Sequence, residues 1–318
     1  MKILITGGAG FIGSYVADAF IREGHRVLIL DNLFTGIEEN IPEEADFIKC
    51  DIRERKPLER VFSDFKPDIV NHHAAQINVR QSVEDPAFDA EINIIGTLNL
   101  LELSIKHGIK RFIFASTGGA IYGEPEKLPA NETTPPMPIS PYGASKYAVE
   151  TYLGYYRAVY GLEYVALRYS NVYGPRQNPH GEAGVVAIFC TRIISGKPCL
   201  IFGDGNQTRD YVFAEDVARA NILAIDAPVG RYNIGTEMET SVNELVLVLR
   251  RAVGREFDVE YSPPRPGEVQ RISLDIGLAR RVLGWSPDVN LEDGISRTWQ
   301  WFSKKIKSVK LRDCPIDF

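Results

Sequence analysis

Residues 6–13 read Thr6-Gly7-Gly8-Ala9-Gly10-Phe11-Ile12-Gly13. They follow the apolar, β-branched run Lys2–Thr6 (KILIT) and lead into a helical pattern over Gly13–Glu23. The glycines fall as GxxGxxG at Gly7, Gly10 and Gly13. That spacing suits a tight turn, a backbone that a pyrophosphate approaches, and a helix packed close to its strand. The helix opening there, with Phe11 and Ile12 beside its start, offers unpaired N–H groups and partial positive charge to the pyrophosphate. Asp31 ends the next strand-like run, Arg26–Leu30, at the distance expected for a carboxylate that meets the adenosine ribose hydroxyls. A carboxylate there repels a 2′-phosphate, so the stretch predicts NAD rather than NADP as cofactor.

Outward from it the chain alternates. Strand patterns at Ala45–Cys50, Asp68–His72, Arg111–Ala115 and Glu163–Arg168 are separated by helical patterns at Lys56–Phe65, Ile94–His107 and Pro141–Tyr160. Alternation of this kind predicts an α/β fold, a Rossmann-type doubly wound parallel sheet with helices on both faces. Beyond Arg168 the rhythm breaks at Tyr173-Gly174-Pro175 and Ser262-Pro263-Pro264-Arg265-Pro266-Gly267, with helices expected near Val185–Ser195, Glu215–Ile225, Ser241–Val253 and Leu291–Lys305. We therefore expect an NAD-binding domain over 1–170 and a smaller α/β substrate-binding lobe over 171–318, with segments near 210–236 returning to the first.

A length of 318 residues exceeds what one core usually supports. The net charge of −6 argues against nucleic acid or an anionic membrane as partner. Four dispersed cysteines, with no CxxC pair, point to a reducing compartment and no metal site. No apolar run reaches the ~18 residues of a membrane helix, and the first strand begins at Lys2, leaving no room for a signal peptide. These features predict a cytoplasmic protein.

Two more strand ends face the expected crevice. Asp51 and Ile52 are placed near the adenine, and Ala74-Ala75 have the small side chains a backbone needs beside phosphates. His72 and His73 read as structural histidines with no metal-ligand spacing. The chemistry is expected at Tyr142-Gly143-Ala144-Ser145-Lys146, because residues four apart share a helix face. A tyrosine acting as base near neutrality needs its pKa of ~10 brought down by about three units, roughly 4 kcal/mol. A neighbouring ammonium and the positive nicotinamide ring are the charges able to do so. Lys146 is also placed on the nicotinamide ribose.

TGGAGFIG, Asp31, a hydroxyl-bearing strand end at Ser116-Thr117 and the YxxxK of Tyr142 and Lys146 together resemble the extended short-chain dehydrogenase/reductase family. Within it, the chain resembles the UDP-glucose (UDP-galactose) 4-epimerases. The likeness continues through Leu167–Pro175, Ile201–Gly205, Thr208–Val212 and Arg265–Glu268. It implies interconversion of UDP-glucose and UDP-galactose by transient oxidation at C4 with tightly bound NAD, in a homodimer paired through Ile94–His107 and Pro141–Tyr160. For the cofactor it adds Asn32, Asn93 and Tyr169. For a UDP-sugar substrate it implies Asn171 and Arg209 on the diphosphate, Arg265 and Glu268 on phosphate and uridine ribose, Phe202 near the uracil, and Gly184 and Val185 beside them.

Thr117 is the expected catalytic hydroxyl, with Ser116 the alternative. Related 4,6-dehydratases carry Asp or Glu directly after this hydroxyl, whereas here stand Gly118 and Gly119. We read them as an open floor on which a 4-keto sugar turns over. Ile272 stands where epimerases confined to the plain hexoses often have a large tyrosine, and reads as a gate at the sugar's C2 side. UDP-N-acetylglucosamine and UDP-glucuronate 4-epimerases are the nearest alternatives. A 4,6-dehydratase and a non-enzymatic NAD-binding regulator are the remoter ones.

Overall fold

The computed structural model describes residues 1–179, 184–264 and 269–310, the last five without their side chains. Its centre is a parallel sheet of seven strands: β1 (Lys2–Thr6), β2 (Arg26–Asp31), β3 (Asp46–Lys49), β4 (Ile69–His72), β5 (Arg111–Thr117), β6 (Glu163–Tyr169) and β11 (Gly230–Ile234). The spatial order is β11-β6-β5-β4-β1-β2-β3. β1, β4 and β5 are buried almost throughout because helices cover both faces. On one face, α1 (Phe11–Arg22) packs with α9 (Ala214–Leu223) over Ile3, Ile5, Ile113 and Val165. On the other, α2 (Arg55–Phe65), α5 (Thr97–Lys106) and α7 (Pro141–Tyr160) cover Leu4, Val70, Phe112 and Phe114. Within 210–236, α9 lies against α1 and β11 forms one edge of the sheet.

Short helices α3 (Val79–Glu84), α4 (Pro86–Ala90) and α6 (Gly118–Ile121) fill turns above the sheet. Beyond β6, a second core gathers α8 (Val185–Ile194), α10 (Val242–Val253) and α12 (Leu291–Lys310) around Phe189, Leu245, Leu249 and Phe302. Three two-stranded ladders join this part. They pair β7 (Asn171–Tyr173) with β10 (Tyr211–Phe213), β8 (Cys199–Phe202) with β13 (Val259–Ser262), and β9 (Thr208–Arg209) with β12 (Thr240–Ser241). α11 (Gly277–Leu283) lies against β11. Among the described residues no helix is long and apolar enough to cross a membrane.

Two departures from the sequence pattern bear on the site. The helix expected over Ile94–His107 is preceded by a π-helical turn, Glu91–Gly96, and α5 begins only at Thr97. A π-turn admits an extra residue, which the 3.6-residue period does not reveal. It turns Asn93 inward and lays Gly96 on Ile52, where a Cβ would stand 2.6 Å from Ile52 Cδ1. β5 also runs two residues past Ala115, because Ser116 and Thr117 still pair with Arg168 and Tyr169 of β6.

Candidate active site

The strand order reverses at β1, whose neighbours β4 and β2 lead to opposite halves of the sheet. The crevice beyond the strand ends at such a reversal is where α/β sheets bind ligands. Gly7 lies there at φ +71°, and a Cβ on it would fall 2.5 Å from Ala74 N. A Cβ on Gly13 would come within 2.2 Å of Gly7 O. The loop is thus pressed onto the end of β4 and the start of α1, and only glycine fits. Gly10 caps α1 without any side-chain hydrogen bond, which leaves first-turn N–H groups for a ligand.

Asp31 is buried and accepts from Ala9 N at 3.0 Å and Leu33 N at 2.8 Å. A carboxylate has about four acceptor sites, so capacity remains for ribose hydroxyls. Burial raises its pKa, against the pull of those two N–H groups. Phe11 and Ile12 pack partly buried against the core below.

The residues expected near the adenine are more constrained than the sequence suggests. Asp51 Oδ2 accepts from Asn32 Nδ2 and pairs with Arg53, both at 2.9 Å, and the Arg53 hydrogen bond leads its fall in pKa to about 2. The Ile52 side chain is buried beneath Gly96, so only its backbone can meet a base. Asn93 is occupied internally. Its Nδ2 reaches Gln76 O, Asp89 Oδ1 and Ser145 Oγ, and its Oδ1 accepts from Gln76 N. Asn93 therefore braces the segment after Ala74-Ala75 against α7.

The two histidines part company because His72 is the last residue of β4 and His73 lies just beyond it, so their rings meet different neighbours. His72 is satisfied by Thr6 Oγ1 at 2.6 Å and Thr97 Oγ1 at 2.8 Å. His73 stacks on Tyr169, with centroids 6.2 Å apart, and its Nε2 is buried without a hydrogen-bond partner among the described residues. Burial, with Lys146 nearby, lowers its pKa to about 3 and keeps the ring neutral. Asn221 beside it pulls the other way, and nothing in the sequence separates His73 from His72 in this respect.

At the other end of the crevice, α7 starts with the Ser140 side chain accepting from Gly143 N and with Pro141 in its first turn. Tyr142 and Lys146 follow on one face. Lys146 is 4% exposed; its Nζ donates to Ala115 O at 2.9 Å, and lies 4.8 Å from the Phe114 ring centroid and 6.0 Å from that of Tyr142. Burial lowers its pKa to about 8, against the attraction of Asp89.

Thr117 and Ser116 point to opposite faces of β5. A Cβ on Gly119 would lie 3.8 Å from Thr117 Oγ1 and 3.6 Å from Asn171 Oδ1, so these three residues line one spot with room beside it. Ser116 is buried and donates to Glu150 Oε1 at 2.6 Å. Gly118 is not open floor: a Cβ there would strike Leu274 Cδ1 at 2.5 Å. Its smallness admits Leu274, and only Gly119 leaves space. Ile272 is 1% exposed and packs with Tyr122, Ala130 and Leu274, so it fills the wall instead of standing open as a gate.

Arg209 lies in β9, its Nη1 donating to Thr208 O at 2.8 Å. The neighbouring Asp210 is buried and bound to Thr236 N and Oγ1 and to Leu274 N. Burial pushes its pKa up to about 6. Phe202 ends β8; Gly184 caps α8 and Val185 opens it. Arg265 and Glu268 lie outside the described residues.

A glycine turn pressed onto a helix N-terminus, with a buried acid at the end of β2, is the arrangement of a dinucleotide-dependent enzyme. A family model for the NAD dependent epimerase/dehydratase family matches residues 3–235. A UDP-glucose 4-epimerase of Mycolicibacterium smegmatis is 45% identical over 313 residues, covering 96% of this chain and 99% of its own. The crystal structure of a UDP-glucose 4-epimerase with UDP-glucose from Thermotoga maritima superposes with a TM-score of 0.94 at 51% identity, covering 96% of this chain and all of that one. The Thermus thermophilus UDP-glucose 4-epimerase in complex with NAD gives 0.91 at 47% identity, with 95% and 99% covered. The chain belongs to the NAD dependent epimerase/dehydratase family.

Proposed function

We propose that the protein interconverts UDP-glucose and UDP-galactose by reversible oxidation at C4. One observation carries the reading: Lys146 Nζ, 6.0 Å from the Tyr142 ring centroid, binds Ala115 O two residues before Thr117, and the segment after that hydroxyl, Gly118–Ile121, holds no carboxylate. Elimination of water calls for such an acid, and a C4 hydride exchange does not. When bound, NAD supplies a hydride acceptor and donor for C4. Tyr142 takes the proton of the C4 hydroxyl and later returns it, with Thr117 hydrogen-bonded to the same oxygen. Lys146 holds positive charge beside the phenolate. Asn171, Phe202, Arg209, Gly184 and Val185, with Arg265 and Glu268, anchor the UDP while the oxidised sugar turns over in the space at Gly119. The UDP-glucose and NAD named in the two relatives' structures support this assignment.

The test is incubation of purified protein with UDP-galactose, followed by product analysis. The expected result is UDP-glucose, formed with NAD that copurifies and is not consumed. NADH accumulating in step with product, or a 4-keto-6-deoxy sugar, overturns the reading. Exclusive turnover of UDP-N-acetylgalactosamine or UDP-galacturonate moves it to the nearest alternatives.

The same reading makes the protein a cytoplasmic homodimer, with the division into lobes near residue 170. Ile95, Tyr152, Tyr155 and Val159 are exposed along the π-turn and α7, an apolar strip of the kind oligomers cover. Light scattering at micromolar concentration is expected to give twice the chain mass, and a monomer mass removes the dimer.

A further inference from the structure

We propose that Ser116 and Glu150 form a positioning tie that sets the register of the catalytic helix against the strand bearing Thr117. The inference rests on the function proposed above. Tyr142, Lys146 and Glu150 are spaced by four along α7 and so present one face to the sheet. Two of them reach consecutive residues of β5, immediately before Thr117: Lys146 Nζ binds Ala115 O at 2.9 Å, and Glu150 Oε1 accepts from Ser116 Oγ at 2.6 Å.

The Glu150 carboxylate is wholly buried and extends the tie to two further strands. Arg168 of β6, the ladder partner of Ser116, donates through Nε at 2.9 Å and Nη2 at 2.6 Å. Arg231 of β11 pairs with Glu150 Oε2 at 2.9 Å. Arg168 Nη1 continues to Tyr122 Oη at 2.7 Å, and Tyr122 donates to Asn233 Oδ1 at 2.8 Å. One carboxylate thereby joins α7, β5, β6 and β11.

Buried ion pairs add little net stability compared with apolar packing, and a registry role is their best-attested use. Here sliding α7 by one residue breaks every bond to Glu150 and carries Tyr142 about 1.5 Å along the helix axis. Displacements of that size at a reacting group cost on the order of 10²-fold in rate. Ser116 acts through Glu150 and touches no substrate; its hydroxyl lies on the opposite face of β5 from Thr117.

The deciding experiment compares Ser116→Ala, Ser116→Thr and Thr117→Val with wild type in UDP-galactose turnover, reading kcat and KM separately along with the melting temperature and the pH profile. Ser116→Ala leaves Glu150 bound to both arginines. It is expected to lower kcat by roughly tenfold, with KM, melting temperature and the shape of the pH profile close to wild type. Ser116→Thr, which restores a hydroxyl, should recover most of the loss, and Thr117→Val should fall further than Ser116→Ala.

Unchanged kcat in Ser116→Ala overturns the proposal. So does a loss as large as that of Thr117→Val, since Ser116 would then be the catalytic hydroxyl, or a loss tracking a lowered melting temperature, since the tie would then be structural only. Glu150→Gln, which leaves two arginine charges uncompensated, is expected to lower the melting temperature as well as kcat; an unchanged kcat there also counts against the tie. Failure of wild type to turn over UDP-galactose is a separate outcome and strikes the proposed function.

Discussion

Tyr142→Phe is expected to lose on the order of 10²- to 10⁴-fold in kcat while keeping its fold and its NAD. The substitution removes one oxygen from the first turn of α7. The capping of that helix rests on Ser140 and Pro141, and the Tyr142 backbone N–H still donates to Ser82 Oγ at 3.2 Å. The cofactor cradle of Gly7, Gly10, Gly13 and Asp31 stands at the other end of the crevice and is untouched. Lys146 lies 6.0 Å from the Tyr142 ring centroid, so the variant keeps its ammonium but has no hydroxyl for it to favour. Turnover close to wild type, with bound NAD and an unchanged circular dichroism spectrum, would take Tyr142 out of the chemistry.

Lys146→Met should separate activity from stability. Burial disfavours the ammonium of Lys146 and lowers its pKa from the ordinary 10.5 to about 8 in the folded chain. A lowered value means that the folded state binds this proton less tightly than the unfolded state. The deficit is therefore fully present below pH 8 and is relieved as pH rises from about 8 to 10.5. At 1.36 kcal/mol per unit it amounts to about 3 kcal/mol at pH 7. Methionine of similar length removes it, while the loss of the bond to Ala115 O returns roughly 1 kcal/mol.

The variant is thus expected to melt at or above the wild-type temperature at pH 7, with its advantage shrinking by pH 9.5. Its kcat should fall at least ~10²-fold, as for loss of an acid/base partner. Wild-type kcat/KM should itself decline above pH 8 as the ammonium is lost. Thermal melts at both pH values and a rate profile across them provide the check. A variant that melts well below wild type at pH 7, or turns over normally, refutes the assignment.

The fold was legible because its signals are local. β1 has the apolar centre Ile3-Leu4-Ile5, the glycines follow it at once, and Asp31 closes β2; each rests on residues adjacent in the chain. The expected bounds of α7, Pro141–Tyr160, coincide with those observed, since Ser140, Pro141 and Gly161 write its start and stop in neighbouring positions. The spacing of Tyr142 and Lys146 likewise follows from helix period alone.

What the sequence by itself determined, then, is the doubly wound sheet, the NAD crevice, the tyrosine–lysine face and, through its motifs, the family. Only the tertiary structure decided the contacts of Ser116, Gly118, Asn93 and His73. The sequence reading left Ser116 and Thr117 as alternatives, and the pairing of β5 with β6 and α7 separated them by sending one hydroxyl to Glu150 and leaving the other beside Asn171. Gly118 resembled a sugar floor until the segment carrying Leu274 folded onto it. Asn93 is turned inward by a π-turn that periodicity does not register, and His73, just beyond β4, stacks on Tyr169 while His72 closes the strand between Thr6 and Thr97. The physical reason is common to all four. A side chain's partner is set by contacts between segments distant in the chain, and residue type and spacing specify the segment's conformation without specifying what will pack against it.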